Sequence, residues 1–340
     1  MALITNGRAI FNSYPGGFPE PGKTIIYDGK STIDLDLVSL NGGVLVKTLE
    51  LSIDPYLRTL MSQPTMGYKI GRPTYGPGIA VVLRSENEKL KVGDKFRISM
   101  MPHQQYSVLK EEQLGDLNIL KNPYNLPWST FIGILGMPGL TAYEGWRYYS
   151  KAKKGEILFV SSGAGPIGSL VIQLAKLDGL KVIASAGSDE KIKFMDSLGA
   201  DVTFNYKTTN TAEVLAKEGP VDIYWDNVGG ETLDTASANA NICARVIACG
   251  MISGYNNNHA TPLRNIWQVV ARQIHIFGFH VSNQYPNEFY EFLEPEIAKG
   301  DIKYAEDRFL GLENVGEAMS RVQRGLIKAK AVVHVADEAH

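Results

Sequence analysis

A glycine pattern directly after an apolar run limits what this chain can fold into more than any other feature. Gly163, Gly165 and Gly168 follow the run Ile157–Val160 and have the spacing G-x-G-x-x-G, and apolar residues then recur at helical intervals between 167 and 174. Glycines at such a strand-to-helix turn let the backbone approach a pyrophosphate, while the free N–H groups of the helix face the anion. The pattern predicts a dinucleotide-binding βαβ unit, with an ordinary strand-to-helix turn as the alternative.

Strand and helix patterns alternate along the middle of the chain. Strands are predicted at 157–161, 181–186, 202–205, 221–226, 245–249 and 274–279, and helices at 189–199, 210–217, 231–241 and 262–272. This alternation predicts an α/β fold with a doubly wound, six-stranded parallel sheet. Because such a sheet binds its ligand outside the carboxyl ends of the strands, the residues after each strand are the informative ones.

The two ends of the chain have different patterns. Residues 1–125 contain short alternating runs separated by glycine and proline turns, which predicts an antiparallel β domain, and residues 126–300 form the α/β domain. Residues 301–340 are too few for a third domain and are expected to return to the first one. A chain of 340 residues is long enough for two hydrophobic cores.

Composition excludes several classes of function. The net charge of -2, with 44% hydrophobic and 21% charged residues, argues against nucleic acid or an anionic membrane as the main partner. The sequence has no run that approaches a membrane span and no secretory pattern. Cys243 and Cys249 are too few for a disulfide framework, and their spacing to the histidines does not suggest a zinc tetrad. We therefore expect a metal-free protein of the reducing cytoplasm.

The end of the second predicted strand favours a phosphorylated nicotinamide cofactor. A sheet that binds NAD usually has a carboxylate about 20 residues after the glycines, for the ribose 2′-hydroxyl. Here Gly187 and Ser188 occupy that position and Lys191 lies within one helical turn, which leaves room and positive charge for a 2′-phosphate. Two alternatives remain. Ser188 caps the helix while Lys191 is solvated, or Asp189 serves as the ribose acid.

Three further strand ends carry candidate site residues. Tyr206 can donate to a phosphate or be a half-buried aromatic residue, and Asn227 precedes two glycines where the backbone can approach a ligand or simply turn. Tyr255 is the only phenol of the loop after the fifth strand. A phenol there can donate a hydrogen bond to a developing enolate, or it can be a packing residue.

With these residues the chain resembles the zinc-free medium-chain dehydrogenases/reductases, and within them the prostaglandin reductase and alkenal double-bond reductase group. The resemblance covers nearly the whole chain. It depends on the segments SIDPYLRTLM (52–61), GMPGLTAYEG (136–145), GSDEKIKFMDSLGADVTFNYK (187–207), DNVGGE (226–231), CGMISGYN (249–256) and FGFHV (277–281).

The resemblance implies a GroES-like first domain, a Rossmann domain, NADPH, and hydride transfer to the β-carbon of an α,β-unsaturated aldehyde or ketone. Tyr255, with Tyr56 lining the pocket, is the expected catalytic residue. The expected cofactor-binding residues are Gly163, Gly165, Pro166, Ile167, Gly168, Gly187, Ser188, Lys191, Tyr206, Asn227, Cys249, Ser253, Tyr255, Phe279, Val281, Met137 and Thr141.

One segment departs from the family's pattern. The family usually has an Asn-x-Gly-Lys motif near its C-terminus, whereas Ile327 and Ala329 stand here in place of the amide and the glycine. We therefore do not assign a cofactor contact to this segment. Substrate size is expected to depend on Tyr56, Met66, Tyr68 and 255–258. A quinone oxidoreductase and a non-catalytic NADPH-binding protein are the competing interpretations. A homodimer formed through the apolar sixth strand is the expected assembly.

Overall fold

The computed structural model describes residues 3–63, 65–257, 262–282 and 284–338. The chain divides into two compact units. Unit 1 is Met1–Gly136, Asn283–Pro286 and Glu306–His340, and unit 2 is Met137–Ser282 and Asn287–Ala305. The division falls later than the sequence patterns suggest. Residues 126–136 stay with unit 1 because they include the 3₁₀ helix Trp128–Ile132, whose Phe131 and Ile132 are buried. The functional roles of the units stay predictions.

The strands, in chain order, are β1 Ile4–Thr5, β2 Arg8–Phe11, β3 Ile25–Asp28, β4 Thr32–Ile33, β5 Val44–Ile53, β6 Tyr75–Ser85, β7 Lys95–Pro102, β8 Tyr106–Leu109, β9 Asn118–Ile119, β10 Ile157–Val160, β11 Lys181–Ala186, β12 Val202–Asn205, β13 Val221–Asp226, β14 Ala240–Ala248, β15 His275–Gly278, β16 Glu306–Leu310 and β17 Lys330–His334.

The α-helices are α1 Leu57–Leu60, α2 Met137–Gly145, α3 Pro166–Leu177, α4 Asp189–Ser197, α5 Thr211–Glu218, α6 Gly230–Ala238, α7 Trp267–Ala271, α8 Asn287–Lys299 and α9 Val315–Gln323. A π-helix, Trp146–Ser150, directly continues α2. Short 3₁₀ helices cover Glu111–Leu114, Trp128–Ile132, Ile252–Gly254 and Leu312–Asn314.

Unit 2 is built on a six-stranded parallel sheet in the order β12-β11-β10-β13-β14-β15. The chain starts at β10 in the middle, moves outward to β12, and then crosses back to β13. This is the Rossmann order, and its topological switch point lies between β10 and β13. Buried residues of the strands, including Phe159, Ile183 and Val246, form the core beneath the helices. The doubly wound parallel sheet predicted from the sequence is confirmed.

Two elements of unit 2 differ from the sequence prediction by five residues or more at one end. Strand β14 begins at Ala240, five residues early, because Ala240 already pairs with Val221 before a register shift. The helix expected over 262–272 is wrong in extent, since α7 covers only Trp267–Ala271. The Asn265 backbone N–H and side-chain amide donate to the Asp234 side chain at 2.6 and 2.9 Å, which holds the preceding residues outside the helix.

Unit 1 is rich in antiparallel pairs. Its main sheet has seven strands in the order β16-β17-β5-β6-β7-β9, with β8 pairing with β5, and only β16 and β17 run parallel. Side chains such as Phe11, Val46 and Phe96 fill one core with α9 residues such as Met319. The GroES-like antiparallel β domain is therefore confirmed. Strands β16 and β17, from the end of the chain, join this sheet next to β5.

Candidate functional site

The glycine turn between β10 and α3 needs its glycines for two different reasons. A Cβ on Gly163 would lie 2.7 Å from the Met195 Sδ, and a Cβ on Gly168 would lie 2.6 Å from the Ser162 carbonyl oxygen. These two glycines are required by packing. A Cβ on Gly165 would lie 3.3 Å from the Ser162 carbonyl oxygen, a tight contact but a longer one than at the other two glycines, so packing restricts this position less. The missing side chain at 165 instead keeps the backbone open to a ligand, which suits a pyrophosphate at this turn.

Helix α3 starts at this turn with Gly165 as its N-cap and Pro166 as its first residue. A proline at the first position loses no helical hydrogen bond. Ile167 follows it, and Ser169 N–H donates to the Gly165 carbonyl at 2.9 Å. The remaining N–H groups of the first turn and the positive end of the helix dipole favour an anion at this point.

The end of β11 brings Gly187 together with Tyr206 and Lys207. A Cβ on Gly187 would lie 3.0 Å from the Tyr206 hydroxyl and 3.1 Å from the Lys207 Cε, and the Tyr206 N–H donates to the Ala186 carbonyl at 3.1 Å. Tyr206 is 54% exposed, so it is not packed as a core aromatic residue. The pattern of strand ends does not single out Lys207, although it follows Tyr206 directly.

Helix α4 and its N-cap contain the residues that are expected to bind the 2′-phosphate of the cofactor's ribose. Ser188 is its N-cap in an extended conformation, and the Ser188 side chain makes no capping hydrogen bond. Asp189 accepts a long hydrogen bond of 3.4 Å from the Asn205 side chain. Lys191 is half-buried in the first turn of the helix. Ser188 therefore occupies the N-cap position without a capping hydrogen bond from its side chain, and the contact of this helix with the ribose 2′-position stays a prediction.

A network of hydrogen bonds fixes the turn after β13. The Asp226 carboxylate accepts from the Tyr224 hydroxyl at 2.7 Å and from the Gly229 N–H at 2.7 Å. The Asn227 side-chain amide donates to the Ser161 carbonyl at 2.7 Å, and its Oδ1 accepts from the Trp225 indole at 3.2 Å. Asn227 thus ties the end of β13 to the end of β10, at the switch point of the sheet. Its direct contact with a cofactor stays a prediction.

Tyr255 lies in the loop after β14, which is attached to the turn after β13. The Ser253 hydroxyl donates to the Val228 carbonyl at 2.6 Å, and the Tyr255 hydroxyl accepts a weak hydrogen bond from the Met251 N–H at 3.4 Å. Burial raises the pKa of Tyr255 above its ordinary value. Burial also raises the pKa of the Cys249 thiol to about 12. Both groups are therefore protonated at neutral pH, and the phenol keeps a proton that it can donate.

The other expected cofactor residues of unit 2 lie on α2 and after β15. The Thr141 hydroxyl donates to the Met137 carbonyl at 2.7 Å within α2. The Phe279 ring lies 5.2 Å from the Tyr149 ring, measured between centroids, and Val281 is half-buried. The structure gives these residues local contacts, and their contact with a cofactor stays a prediction.

In unit 1, Tyr56 follows a turn that is anchored by a buried ion pair. The Lys330 ammonium lies 2.9 Å from the Asp54 carboxylate, and each side chain is 3% exposed. Ser52 also donates to Asp54, and the Gln323 amide donates to the Pro55 carbonyl at 2.7 Å. Burial, together with the Asp54 charge, raises the pKa of Tyr56. The sequence did not reveal this pair because its partners are far apart along the chain.

Two further tyrosines of unit 1 pack beside this turn. Tyr68 is fully buried, its hydroxyl donates to the Tyr75 carbonyl at 2.6 Å, and the two rings meet edge to face at 4.9 Å. Met66 is 77% exposed. Of the residues expected to set substrate size, Asn258 lies outside the described residues.

The described residues include neither a metal-ligand cluster nor a helix able to span a membrane. No group of three or more His, Cys, Asp or Glu side chains is arranged to hold a metal ion. No helix in the described ranges has the length and apolar character needed to cross a membrane.

Comparisons with known proteins match both units. Residues 166–298 match the family described as zinc-binding dehydrogenase, and residues 33–117 match the N-terminal domain of oxidoreductase. An NADP-dependent oxidoreductase, RED1, from Cochliobolus heterostrophus is 37% identical over 98% of this chain and 99% of its own. A 2-alkenal reductase (NADP(+)-dependent) from Nicotiana tabacum is 35% identical over 98% and 99%. Among solved structures, CurA in complex with NADPH from Vibrio vulnificus has a TM-score of 0.84 at 30% identity, over 97% and 99% of the two chains.

Proposed function

The chain belongs to the zinc-independent medium-chain dehydrogenases/reductases, in the group of prostaglandin and alkenal double-bond reductases, and from this premise we propose that it uses NADPH to reduce the C=C bond of α,β-unsaturated aldehydes and ketones. It is an oxidoreductase, and NADPH is its cofactor. One observation supports reduction of the C=C bond as the specific reaction. Tyr255, in a loop at the carboxyl edge of the Rossmann sheet, is a protonated phenol with a hydrogen bond to donate.

The residues of unit 2 fit NADPH. Gly165 leaves the backbone open at the start of α3, where the N–H groups would hold the pyrophosphate. Ser188, Lys191, Tyr206 and Lys207 would hold the 2′-phosphate, because two cationic side chains and two hydroxyls suit a dianion. Gly187 has no side chain to obstruct Tyr206 and Lys207. Asp189 is a carboxylate in the first turn of the same helix, and Asn205 donates to it.

Tyr255 is proposed to stabilise the substrate oxygen. When bound, NADPH would supply a hydride for the β-carbon, and negative charge would then develop on the carbonyl oxygen of the substrate. The Tyr255 hydroxyl accepts from the Met251 N–H, which orients the phenol and leaves its own proton directed elsewhere. A donor of this kind typically lowers the barrier by about 3 kcal/mol. The raised pKa of Tyr255 keeps that proton on the phenol throughout the neutral pH range.

The other side chains are proposed to position rather than to transfer protons. The hydrogen bond between Ser253 and Val228 fixes the loop that carries Tyr255. Tyr56 is proposed to line the substrate pocket, held in place by the buried pair of Asp54 and Lys330. The proton that completes the product at the α-carbon is proposed to come from solvent.

We further propose a cytoplasmic homodimer. The edge strand β15 presents Ile276, and α7 presents Trp267 and Val270, which are 67% and 65% exposed. An apolar sheet edge of this kind invites pairing with a second copy. The free thiols of Cys243 and Cys249 support a reducing compartment.

The proposal is tested by the loss of NADPH absorbance with an enone, with a quinone, and without an acceptor. We expect rapid oxidation of NADPH with the enone and none without an acceptor. Faster turnover with the quinone would favour a quinone oxidoreductase. The absence of turnover with every acceptor, in a protein that still binds NADPH, would favour a non-catalytic binding protein.

A further inference from the structure

We propose that a cavity in unit 1 binds the part of the enone remote from its C=C bond and selects substrates with a neutral hydroxyl over substrates with a carboxylate. The inference rests on the proposed function and names the class of substrate. We call this site the acidic cavity, after Glu112 and Asp116, which are two of its lining residues.

The acidic cavity has the size of a ligand site. It lies among β7, β8 and the 3₁₀ helix Glu111–Leu114 and has a volume of about 570 Å³. Pockets that bind small molecules usually measure about 300–1,000 Å³. All of its lining residues belong to unit 1.

Tyr75 links the cavity to Tyr56. Tyr75 lines the cavity, and its ring meets the Tyr68 ring edge to face at 4.9 Å. Tyr56 and Tyr75 both pack against the core cluster that contains Tyr68. The charge of Asp116 also contributes to the raised pKa of Tyr56. These contacts place Tyr75 between the Tyr68 ring and the cavity, and the proposal is that a substrate with its reacting end beside Tyr56 extends its far end past Tyr75 into the cavity.

The polar groups of the cavity suit a hydroxyl. Ser107 is 5% exposed, and its hydroxyl oxygen has no hydrogen-bond partner within the described part of the chain. A buried hydroxyl without a partner is costly, so a ligand that bonds to it gains affinity. Asp116 accepts from the Ser99 N–H at 3.0 Å through one oxygen, Oδ2. A ligand hydroxyl can donate to Asp116, and it reaches the Ser107 oxygen, which is closed to solvent in this structure, when that side chain rotates toward the cavity.

The charges of the cavity disfavour an anion. Glu112 and Asp116 are acidic, and no lysine, arginine or histidine is present among the described lining residues. A carboxylate brought into this site meets like charges without a compensating cation, which lowers affinity. A ligand with an apolar chain end can pack against Met100 and Val108, but it cannot form a hydrogen bond with the Ser107 hydroxyl.

The test uses three enones of equal chain length that end in a methyl group, a primary alcohol or a carboxylate. For the wild type we expect kcat/KM to be highest for the alcohol and at least about tenfold lower for the carboxylate. D116N removes the charge but keeps an oxygen that can accept from the Ser99 N–H. In D116N we expect the alcohol-to-carboxylate ratio to fall to about threefold or less.

Two further variants complete the design. S107A should lower kcat/KM for the alcohol about fivefold relative to the methyl enone, because the paired hydroxyl is lost. E111Q is the matched control, since Glu111 is an exposed acid that pairs with Lys89 and does not line the cavity. We expect E111Q to leave the ratio of the three substrates at the wild-type value.

Titration calorimetry with the three saturated ketones separates this inference from the proposed function. Tighter binding of the alcohol than of the carboxylate, with a difference that D116N reduces, supports the acidic cavity even if no enone is turned over. In that case only the proposed reaction fails. Equal binding and equal kcat/KM for alcohol and carboxylate, or the same ratio in the wild type and D116N, would overturn the inference.

Discussion

The buried ion pair of Lys330 and Asp54 offers a sharp test of how unit 1 is held together. The Lys330 ammonium lies 2.9 Å from the Asp54 carboxylate and donates to the Ile53 carbonyl at 3.1 Å, and both side chains are 3% exposed. K330M removes the cation and keeps most of the side-chain volume. Asp54 then stays buried with Ser52 as its remaining hydrogen-bond donor among the contacts described above.

The expected loss follows from the burial of the pair. Removing one partner of a buried ion pair typically costs about 3–5 kcal/mol, because the other charge stays in a poorly solvating site. We therefore expect K330M to lower the free energy of unfolding of unit 1 by about 3–5 kcal/mol. The double variant D54N/K330M removes both charges, so we expect it to recover at least about half of that loss.

The assay is urea unfolding followed by hydrogen exchange in peptides from β5 and β17, which report on unit 1 alone. K23M is the control for loss of a lysine charge, because Lys23 and Glu20 form a pair in which both side chains are more than half exposed. Such surface pairs contribute about 0–1 kcal/mol. A loss of less than about 1 kcal/mol of unfolding free energy in K330M would refute the reasoning. A loss in D54N/K330M equal to the sum of the losses in the two single variants would refute it as well.

Three further changes test the site and the core. Tyr255→Phe should lower kcat about a hundredfold, because one donor to the developing oxyanion is lost, and wild-type turnover would remove Tyr255 from the mechanism. Lys191→Ala should raise KM for NADPH far more than KM for NADH. The control Lys193→Ala, on the same helix, should change neither KM. Equal effects of Lys191→Ala on both cofactors would refute the 2′-phosphate assignment. Burial lowers the pKa of His103 from 6.5 to about 3, so the folded protein binds a proton there less readily than the unfolded chain. The free energy of unfolding should therefore be highest above pH 6.5 and should be about 2 kcal/mol lower at pH 5. His103→Asn, whose amide can still form a hydrogen bond with the Thr74 hydroxyl, should flatten this pH dependence in urea unfolding. An unchanged slope would contradict a neutral buried imidazole.

The Rossmann sheet was predictable because its signals are local. Short apolar runs followed by glycines or polar residues mark β11, β12 and β13, whose observed bounds match the predicted ranges. The strand order 3-2-1-4-5-6 then follows from a parallel sheet with helical crossovers. The extra residues of β14 were missed because its pairing with Val221 depends on a register shift that no local pattern indicates.

The site was predictable only in part. Position after a strand was sufficient to single out Lys191, Tyr206 and Tyr255. Lys207 follows Tyr206 in the sequence, but its approach to Gly187 depends on how the loop after β12 folds back. The pair of Asp54 and Lys330 joins residues 276 positions apart, so it depends on the antiparallel register of β5 and β17. Contacts of this kind arise from tertiary pairing and leave no periodic signal.

The transfer of a labelled hydride tests the central claim most directly. NADPH that carries deuterium at both C4 positions is consumed with an enone, and the product is analysed by mass spectrometry and NMR. Reduction of the C=C bond predicts one deuterium on the β-carbon of a saturated ketone, with solvent hydrogen on the α-carbon. Deuterium on the carbonyl carbon of an allylic alcohol, or a saturated ketone without deuterium on its β-carbon, would contradict the account.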